Sequence, residues 1–296
     1  MRKAGSLLVV LFGLVLGLGP AIGNAASAVG VTVPATILAT EPATVPEASP
    51  PALTLETRIT ARYASSVLIF KVGEITLDAR FSDAGYQADS FIEAAGLAAL
   101  FTDFDIRAEV SGRGGSGGRE PLTYTHTERT GSKVRDVRID FAGPVAESNV
   151  EPPFGSWGVP PASESDRTGV IDPMTAFFEL SRRLEGGDGC QGRLSVFDGK
   201  ARYDLRLETV GLERVRTRGW RGEALVCHAW YEPISGYDPE DYPSAGELRH
   251  PLVLWLAPVV GQNGHLPVRL HTRAGFGGVT IELMSMDVTG AGAPTR

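Results

Sequence analysis

Between residues 195 and 205 the chain reads SVFDGKARYDL, which crowds Asp198, Lys200, Arg202 and Asp204 into seven residues. Two carboxylates interleaved with two cations invite a catalytic assignment. The same stretch carries Asp198-Gly199, a two-residue hairpin signal, because type I′ geometry requires positive φ at both central positions. A turn of that kind sets Phe197 opposite Lys200, Val196 opposite Ala201 and Leu194 opposite Tyr203. The dry face is then Leu194, Val196, Ala201, Tyr203, Leu205 and Leu207. Lys200, Arg202, Asp204 and Arg206 fall on the wet face, so the pattern predicts a corner and not a catalytic cluster.

Other candidates for chemistry are weaker. Gly114-Gly115-Ser116-Gly117-Gly118 matches the G-x-S-x-G string of a nucleophile elbow, and the run from Gly112 matches G-x-G-x-x-G. Both motifs need a strand–turn–helix setting. Here Arg119-Glu120-Pro121 follows and no helix pattern does, which predicts a loop tip. The five histidines, His126, His228, His250, His265 and His271, show no HExxH and no close pairing, and a zinc site needs about three good ligands. Asp238, Glu240 and Asp241 lack the spaced ligand loop of a calcium site. No motif specifies an enzyme, and the expectation is a non-catalytic protein with no metal and no cofactor.

Cys190 and Cys227 are the two cysteines of the chain. The N-terminus explains how they are used. Arg2 and Lys3 precede an apolar run from Leu7 to Leu18, and Ala26-Ser27-Ala28 is an A-x-A cleavage signal. Residues 1–28 therefore read as a secretory signal peptide, too short in its apolar part for a comfortable span. No cysteine stands near the cleavage point, which excludes lipid attachment there, and no integral span is expected after cleavage. Export to an oxidising compartment favours a Cys190–Cys227 disulfide. The expected location is the periplasm, in soluble form. Without Arg2 and Lys3, 26 basic residues face 35 acidic ones, a net charge near −9. Nucleic-acid binding needs clustered positive charge, so nucleic acid is not an expected partner.

These residues need elements to position them. Residues 29–52 are rich in Ala, Pro, Thr and Val without amphipathic period and read as a flexible leader. Residues 53–290 read as a single β-rich domain, with enough chain to bury a real core. In EITLDARF, Ile75, Leu77, Ala79 and Phe81 alternate with polar groups. Phe104, Ile106, Ala108 and Val110 do the same, as do Val137, Ile139 and Phe141. Period two repeated this often means antiparallel strands with one dry and one wet face. About eleven strands are expected. One helix stands out over 173–184, with Asp172 as N-cap, Pro173 at the first position and Gly186-Gly187 at the end. Met174, Phe177, Phe178 and Leu184 form its apolar face. The preceding segment, 144–171, carries five prolines and reads as a long ordered loop.

The chain resembles a bacterial envelope family catalogued as the domain of unknown function 3108 family. The resemblance rests on Gly73-Glu74 after an apolar strand, Gly96-Leu97 with Leu100-Phe101, Asp172-Pro173, VFDGKARYDLRL at 196–207, the Cys227 strand and Leu266-Pro267-Val268. It spans roughly residues 58–288. It implies an exported, mostly antiparallel β protein with a long curved sheet, a half-barrel or spiral, and it supplies no catalytic residues. Such a sheet is similar to those of periplasmic lipoprotein-carrier and envelope-integrity proteins, which hold an acyl chain or hydrophobic ligand on the concave face. Fold likeness does not fix function.

On that frame the one main helix is expected to cover the concave face. The first function expected is an envelope protein that binds a lipid, an acyl chain or another small hydrophobic molecule there. Phe177, Phe178, Trp230 and Trp255 are its expected ligand-binding residues, because a lipid needs a concave, mostly apolar site. The alternative is a structural scaffold with a filled core that meets other envelope proteins through edge strands or the 144–171 loop.

Overall fold

The alternating runs form thirteen strands and one principal helix. They are β1 (Thr57–Val67), β2 (Phe70–Ser82), β3 (Gly85–Ala94), β4 (Phe104–Gly115), β5 (Gly118–Thr130), β6 (Lys133–Asp140) and β7 (Glu147–Glu151). Then come α1 (Pro173–Glu185), β8 (Gly192–Phe197), β9 (Arg202–Arg216), β10 (Arg221–Ser235), β11 (Leu252–Pro258), β12 (His265–Ala274) and β13 (Gly277–Gly290). The computed structural model describes residues 56–115, 118–187, 189–259, 264–274 and 277–290. The expected signal peptide and leader lie outside the described residues, as do Ser116 and Gly117 of the glycine-rich string.

All thirteen strands belong to one antiparallel sheet, in the order β7-β6-β5-β4-β3-β2-β1-β13-β12-β11-β10-β9-β8. The chain starts at the centre, meanders outward to the β7 edge, crosses over, and meanders back from the β8 edge to pair β13 with β1. The two edges are therefore joined by one crossing segment, residues 152–191, which contains α1. A flat sheet of this width would leave that connection stretched along its whole breadth; a curled sheet brings the edges within reach, and sheet twist supplies the curl. The crossing segment also hydrogen-bonds to both sides. Ala146 N–H donates to Arg167 O at 2.9 Å, and the main chain of Ile171 exchanges bonds with Ser195 and Phe197. The sheet is curled but not closed into a barrel, since β7 and β8 each have one strand partner.

The dry faces point inward as the alternation predicts. Ile75, Leu77 and Ala79 of β2, Ile106, Ala108 and Val110 of β4, and Val137 and Ile139 of β6 are all buried. Helix α1 runs through the enclosed space and touches β5 on one side and β12 and β8 on the other. Its N-cap holds as expected: the Asp172 side chain accepts from Thr175 N–H at 2.8 Å, and Pro173 occupies the first position. The burial is wider than one apolar stripe. Thr175 and Glu179 are buried along with Met174, Phe178, Leu180 and Leu184, because sheet lies on more than one side of the helix.

Two expectations are corrected. The β8–β9 hairpin pairs Phe197 with Arg202, Val196 with Tyr203 and Leu194 with Leu205, and Asp198 N–H donates to Ala201 O at 3.2 Å, so the central pair of the turn is Gly199-Lys200 and not Asp198-Gly199. Asp198 Oδ1 accepts from Lys200 N–H (2.9 Å) and Ala201 N–H (2.6 Å), which holds the turn at this position. The shift is two residues, so Leu194 and Val196 stay on the dry side. The second correction concerns the wet face. Lys200 and Asp204 are buried, as is Asp198, because the curl folds the crossing segment and the end of β10 over this hairpin. The 144–171 region is likewise only in part a loop, since it contains β7.

Candidate functional site

Two part-open cavities among the described residues abut the same pair of helix residues, Phe177 and Phe178. The larger, about 220 Å³, is lined by Ile59, Leu77, Phe81, Phe177, Phe178 and Leu266 on its apolar side. Arg119, Ser181, Glu185 and His265 line its polar side. The smaller, about 60 Å³, is almost wholly apolar and is bounded by Tyr63, Ile75, Leu77, Met174, Phe177, Phe178, Leu270 and Ile281. Together they form a discontinuous groove between α1 and the central strands β1, β2, β12 and β13.

Local sequence explains each wall. Phe177, Ser181 and Glu185 lie four residues apart on α1, and that spacing puts them on one helix face. Along it the lining changes from aromatic to hydroxyl to carboxyl. Phe178 packs into the core, edge-on to Phe81 (5.2 Å between centroids) and Tyr86 (5.8 Å). Tyr86 fits because position 112 is glycine; a Cβ there would come within 2.4 Å of its ring. Gly112, Gly114 and Gly115 belong to the end of β4 and Gly118 opens β5, whose Arg119 N–H donates to Glu179 of the helix at 3.1 Å.

Arg119 is the unusual group. Its guanidinium lies over the rings of Phe81 (4.8 Å) and Tyr86 (5.5 Å), a favourable cation–π placement. Its Nε is buried and has no hydrogen-bond partner among the described residues. Burial pulls its pKa below the ordinary arginine value, against the opposing pull of Glu185. The neighbouring arginines differ: Arg182 and Arg183 pair with Glu179 at 2.7 and 3.2 Å. Burial alone would raise the Glu179 carboxyl. Hydrogen bonds from Arg182, the Arg119 backbone N–H and Arg183 outweigh it and hold Glu179 below its usual value. On the opposite wall His265 N–H donates to Ser181 Oγ at 3.0 Å, while His265 Nδ1 is buried without a partner. Burial lowers the His265 pKa, which keeps the ring neutral at neutral pH. The cavity therefore combines a dry end with a polar end whose donors are incompletely used.

The structure brings Phe177 and Phe178 to this groove and leaves the two tryptophans elsewhere. Leu254 pairs with Leu270, which lines the smaller cavity, so alternation turns Trp255 to the outer face. There it pairs with Arg269, which lies 5.6 Å over its ring, and its Nε1–H donates to Glu213 at 2.9 Å. Trp230 pairs with Arg206 and donates to Glu208 at 3.2 Å, again on the outer face. Both rings are held in polar outer-face ladders. Sequence reasoning missed Arg119, Ser181, Glu185 and His265. The 177–181–185 spacing was the available signal, whereas Arg119 and His265 reach the site only through the sheet's curl.

The charged hairpin forms a second polar cluster. Lys200 Nζ pairs with Asp238 Oδ2 at 2.7 Å, and Asp204 pairs with Arg193 and Arg202. Burial pushes Asp198 up to about 7 against its backbone hydrogen bonds. Burial likewise pushes Asp172 up to about 6. Neither carboxylate lines either of the two groove cavities, so these groups serve the turn and the helix cap. Cys190 and Cys227 form a disulfide, with Cα atoms 5.8 Å apart. Among the described residues no group of three or more His, Cys, Asp or Glu side chains is arranged to hold a metal ion, and no helix is long and apolar enough to cross a membrane.

No curated protein matches this chain. Among solved structures it is similar to a beta-barrel-like protein of domain of unknown function DUF1849 from Brucella abortus. The identity is 10%, the TM-score 0.49, and the match covers 80% of this chain and 98% of that one. The family model described as protein of unknown function (DUF3108) matches residues 58–284, a span that takes in both walls of the groove and the helix between them, and the chain belongs to that family.

Proposed function

We propose that this is an exported, non-catalytic envelope protein that holds a small hydrophobic molecule or a single short acyl chain between α1 and the concave face of the sheet. The observation that carries this reading is the pair of cavities that meet at Phe177 and Phe178. A cavity of about 150 Å³ already accepts a benzene-sized guest, and the larger of these two exceeds that. The volume also sets a limit. Drug-sized ligands occupy pockets of about 300–1,000 Å³, so one short chain fits and a two-chain lipid does not. The test is native mass spectrometry of protein purified from the periplasm, together with titration of an apolar fluorescent probe. A co-purified apolar ligand, or saturable probe binding displaced by short-chain amphiphiles, supports the reading. A ligand-free protein with no saturable binding overturns it.

A second reading, an interaction scaffold, is favoured by one separate feature. Leu68, Ile69 and Phe70 at the β1–β2 turn and Leu97, Leu100 and Phe101 just after β3 are all exposed. The two segments adjoin, since Leu97 N–H donates to Lys71 O. Leu68 also has φ of 55°, a conformation that branched side chains avoid. Replacing Leu68 and Ile69 by Asn and Gly should stabilise the turn and, under this reading, abolish pull-down of envelope partners; unchanged pull-down counts against it.

A further inference from the structure

We infer that the ligand of the groove is an acidic amphiphile, one short apolar chain ending in a single carboxylate, with its chain against Leu77, Phe177 and Phe178 and its head between Arg119, His265 and Ser181. This rests on the proposal that the cavity binds an apolar ligand, and adds the chemistry of its polar end. Three observations converge there. Arg119 Nε is buried without a partner among the described residues, and no carboxylate oxygen there lies within ion-pair distance of its guanidinium, whereas adjacent Arg182 and Arg183 are both paired. Leaving a buried charged donor unsatisfied is unfavourable, and a carboxylate is the acceptor that suits a planar guanidinium best. Stacking on Phe81 and Tyr86 already fixes the plane of that guanidinium, so little freedom is lost when an anion arrives.

The opposite wall completes the site. Ser181 Oγ accepts from His265 N–H and keeps its own proton available. His265 Nδ1 also lacks a partner among the described residues, and His265 lines the same cavity. Glu185 shares the lining and limits the charge. Its carboxylate is already under the pull of Arg119 and Arg182, so these cations are partly offset before a ligand arrives, which favours a monoanion over a doubly charged phosphate monoester. The dry end then takes the chain, because its walls offer almost no hydrogen-bonding surface.

Calorimetric titration of the full exported chain with octanoic acid, octanol and octyl phosphate at neutral pH tests this. Octanoate should bind about tenfold more tightly than octanol, the gain of one charge-assisted hydrogen bond. Octyl phosphate should bind more weakly than octanoate. Arg119→Gln should lower octanoate affinity about tenfold more than octanol affinity and so remove the preference for octanoate, while Glu185→Gln should tighten octanoate. Equal affinity for octanoate and octanol, tighter binding of octyl phosphate, or an equal loss of both chains in Arg119→Gln overturns the acidic head while leaving the hydrophobic site standing. Failure of all three probes to bind overturns the site itself.

Discussion

A Cβ placed on Gly199 would stand 2.6 Å from Val137 Cγ1, although Gly199 turns the hairpin at the β8 end of the sheet and Val137 lies in β6, one strand in from the β7 end. The two ends of a thirteen-strand sheet thus meet without pairing, the Val137 side chain lying against the Gly199 backbone. Glycine is needed here twice over, for its φ of 103° and for the room it leaves. Gly199→Val should lower stability by about 2–5 kcal/mol, the sum of backbone strain and overpacking. Urea denaturation checks it, and a variant with the parent midpoint would show that the sheet ends do not meet in this way.

Asp198 gives a pH dependence with a definite sign. Burial raises its carboxyl to about 7, against hydrogen bonds from Lys200 and Ala201 N–H and the Lys200 charge. Between pH about 4 and 7 the folded state keeps a proton that the unfolded chain has lost, so stability falls as pH rises through that window. His126, lowered by burial to about 4, slopes the other way. Asp198→Asn keeps the acceptor oxygen for both N–H groups and removes the titration. The variant should match the parent at pH 4 and exceed it at pH 8 by about 1–4 kcal/mol. Chemical denaturation across that range checks it, and parallel curves would place Asp198 in a wetter setting.

Much of this fold was legible because alternation reports burial directly. Ile106, Ala108, Val137 and Ile139 fall where period two puts them, and Asp172, Pro173 and Gly186-Gly187 bound the helix to within a residue. Contacts made by curvature carry no local signal. Lys200 and Asp204 look solvated in a hairpin taken alone, and only the folded-over crossing segment buries them. Trp230 and Trp255 look like inner-face anchors from size, yet their parity along β10 and β11 sends them outward, where Arg206, Arg269 and glutamates satisfy them. The polar end of the groove was illegible for the same reason, since Arg119 and His265 lie 146 positions apart in sequence.

The disulfide links the segment after α1 to β10, past the intervening β9. With a sequence separation of 37, it stabilises by roughly 4 kcal/mol through loop closure in the unfolded chain. The Cys190→Ala, Cys227→Ala double variant should lose about that much in equilibrium denaturation, and reductant should destabilise the parent but not the variant. Equal midpoints for parent and variant would show that the bridge is dispensable to the sheet.

Phe177 and Phe178 adjoin in sequence and should behave differently. Phe178 is buried and meets Phe81, Tyr86 and Phe177 edge-on. Phe178→Ala should therefore cost about 3–5 kcal/mol, as truncation of a buried aromatic with three ring contacts does. Both residues line the two cavities, but Phe177 is only partly buried. Part of its surroundings is already open, so Phe177→Ala removes fewer contacts and should cost about 1–2 kcal/mol. Its larger effect should be on binding. Removing the ring joins the 220 Å³ and 60 Å³ cavities into one longer groove, and affinity should shift from octanoic towards dodecanoic acid. Thermal melts and a chain-length titration, run on both variants, check this together. Equal destabilisation of the two variants, with chain-length preference unchanged, would mean that Phe177 belongs to a solid core and does not divide a binding groove.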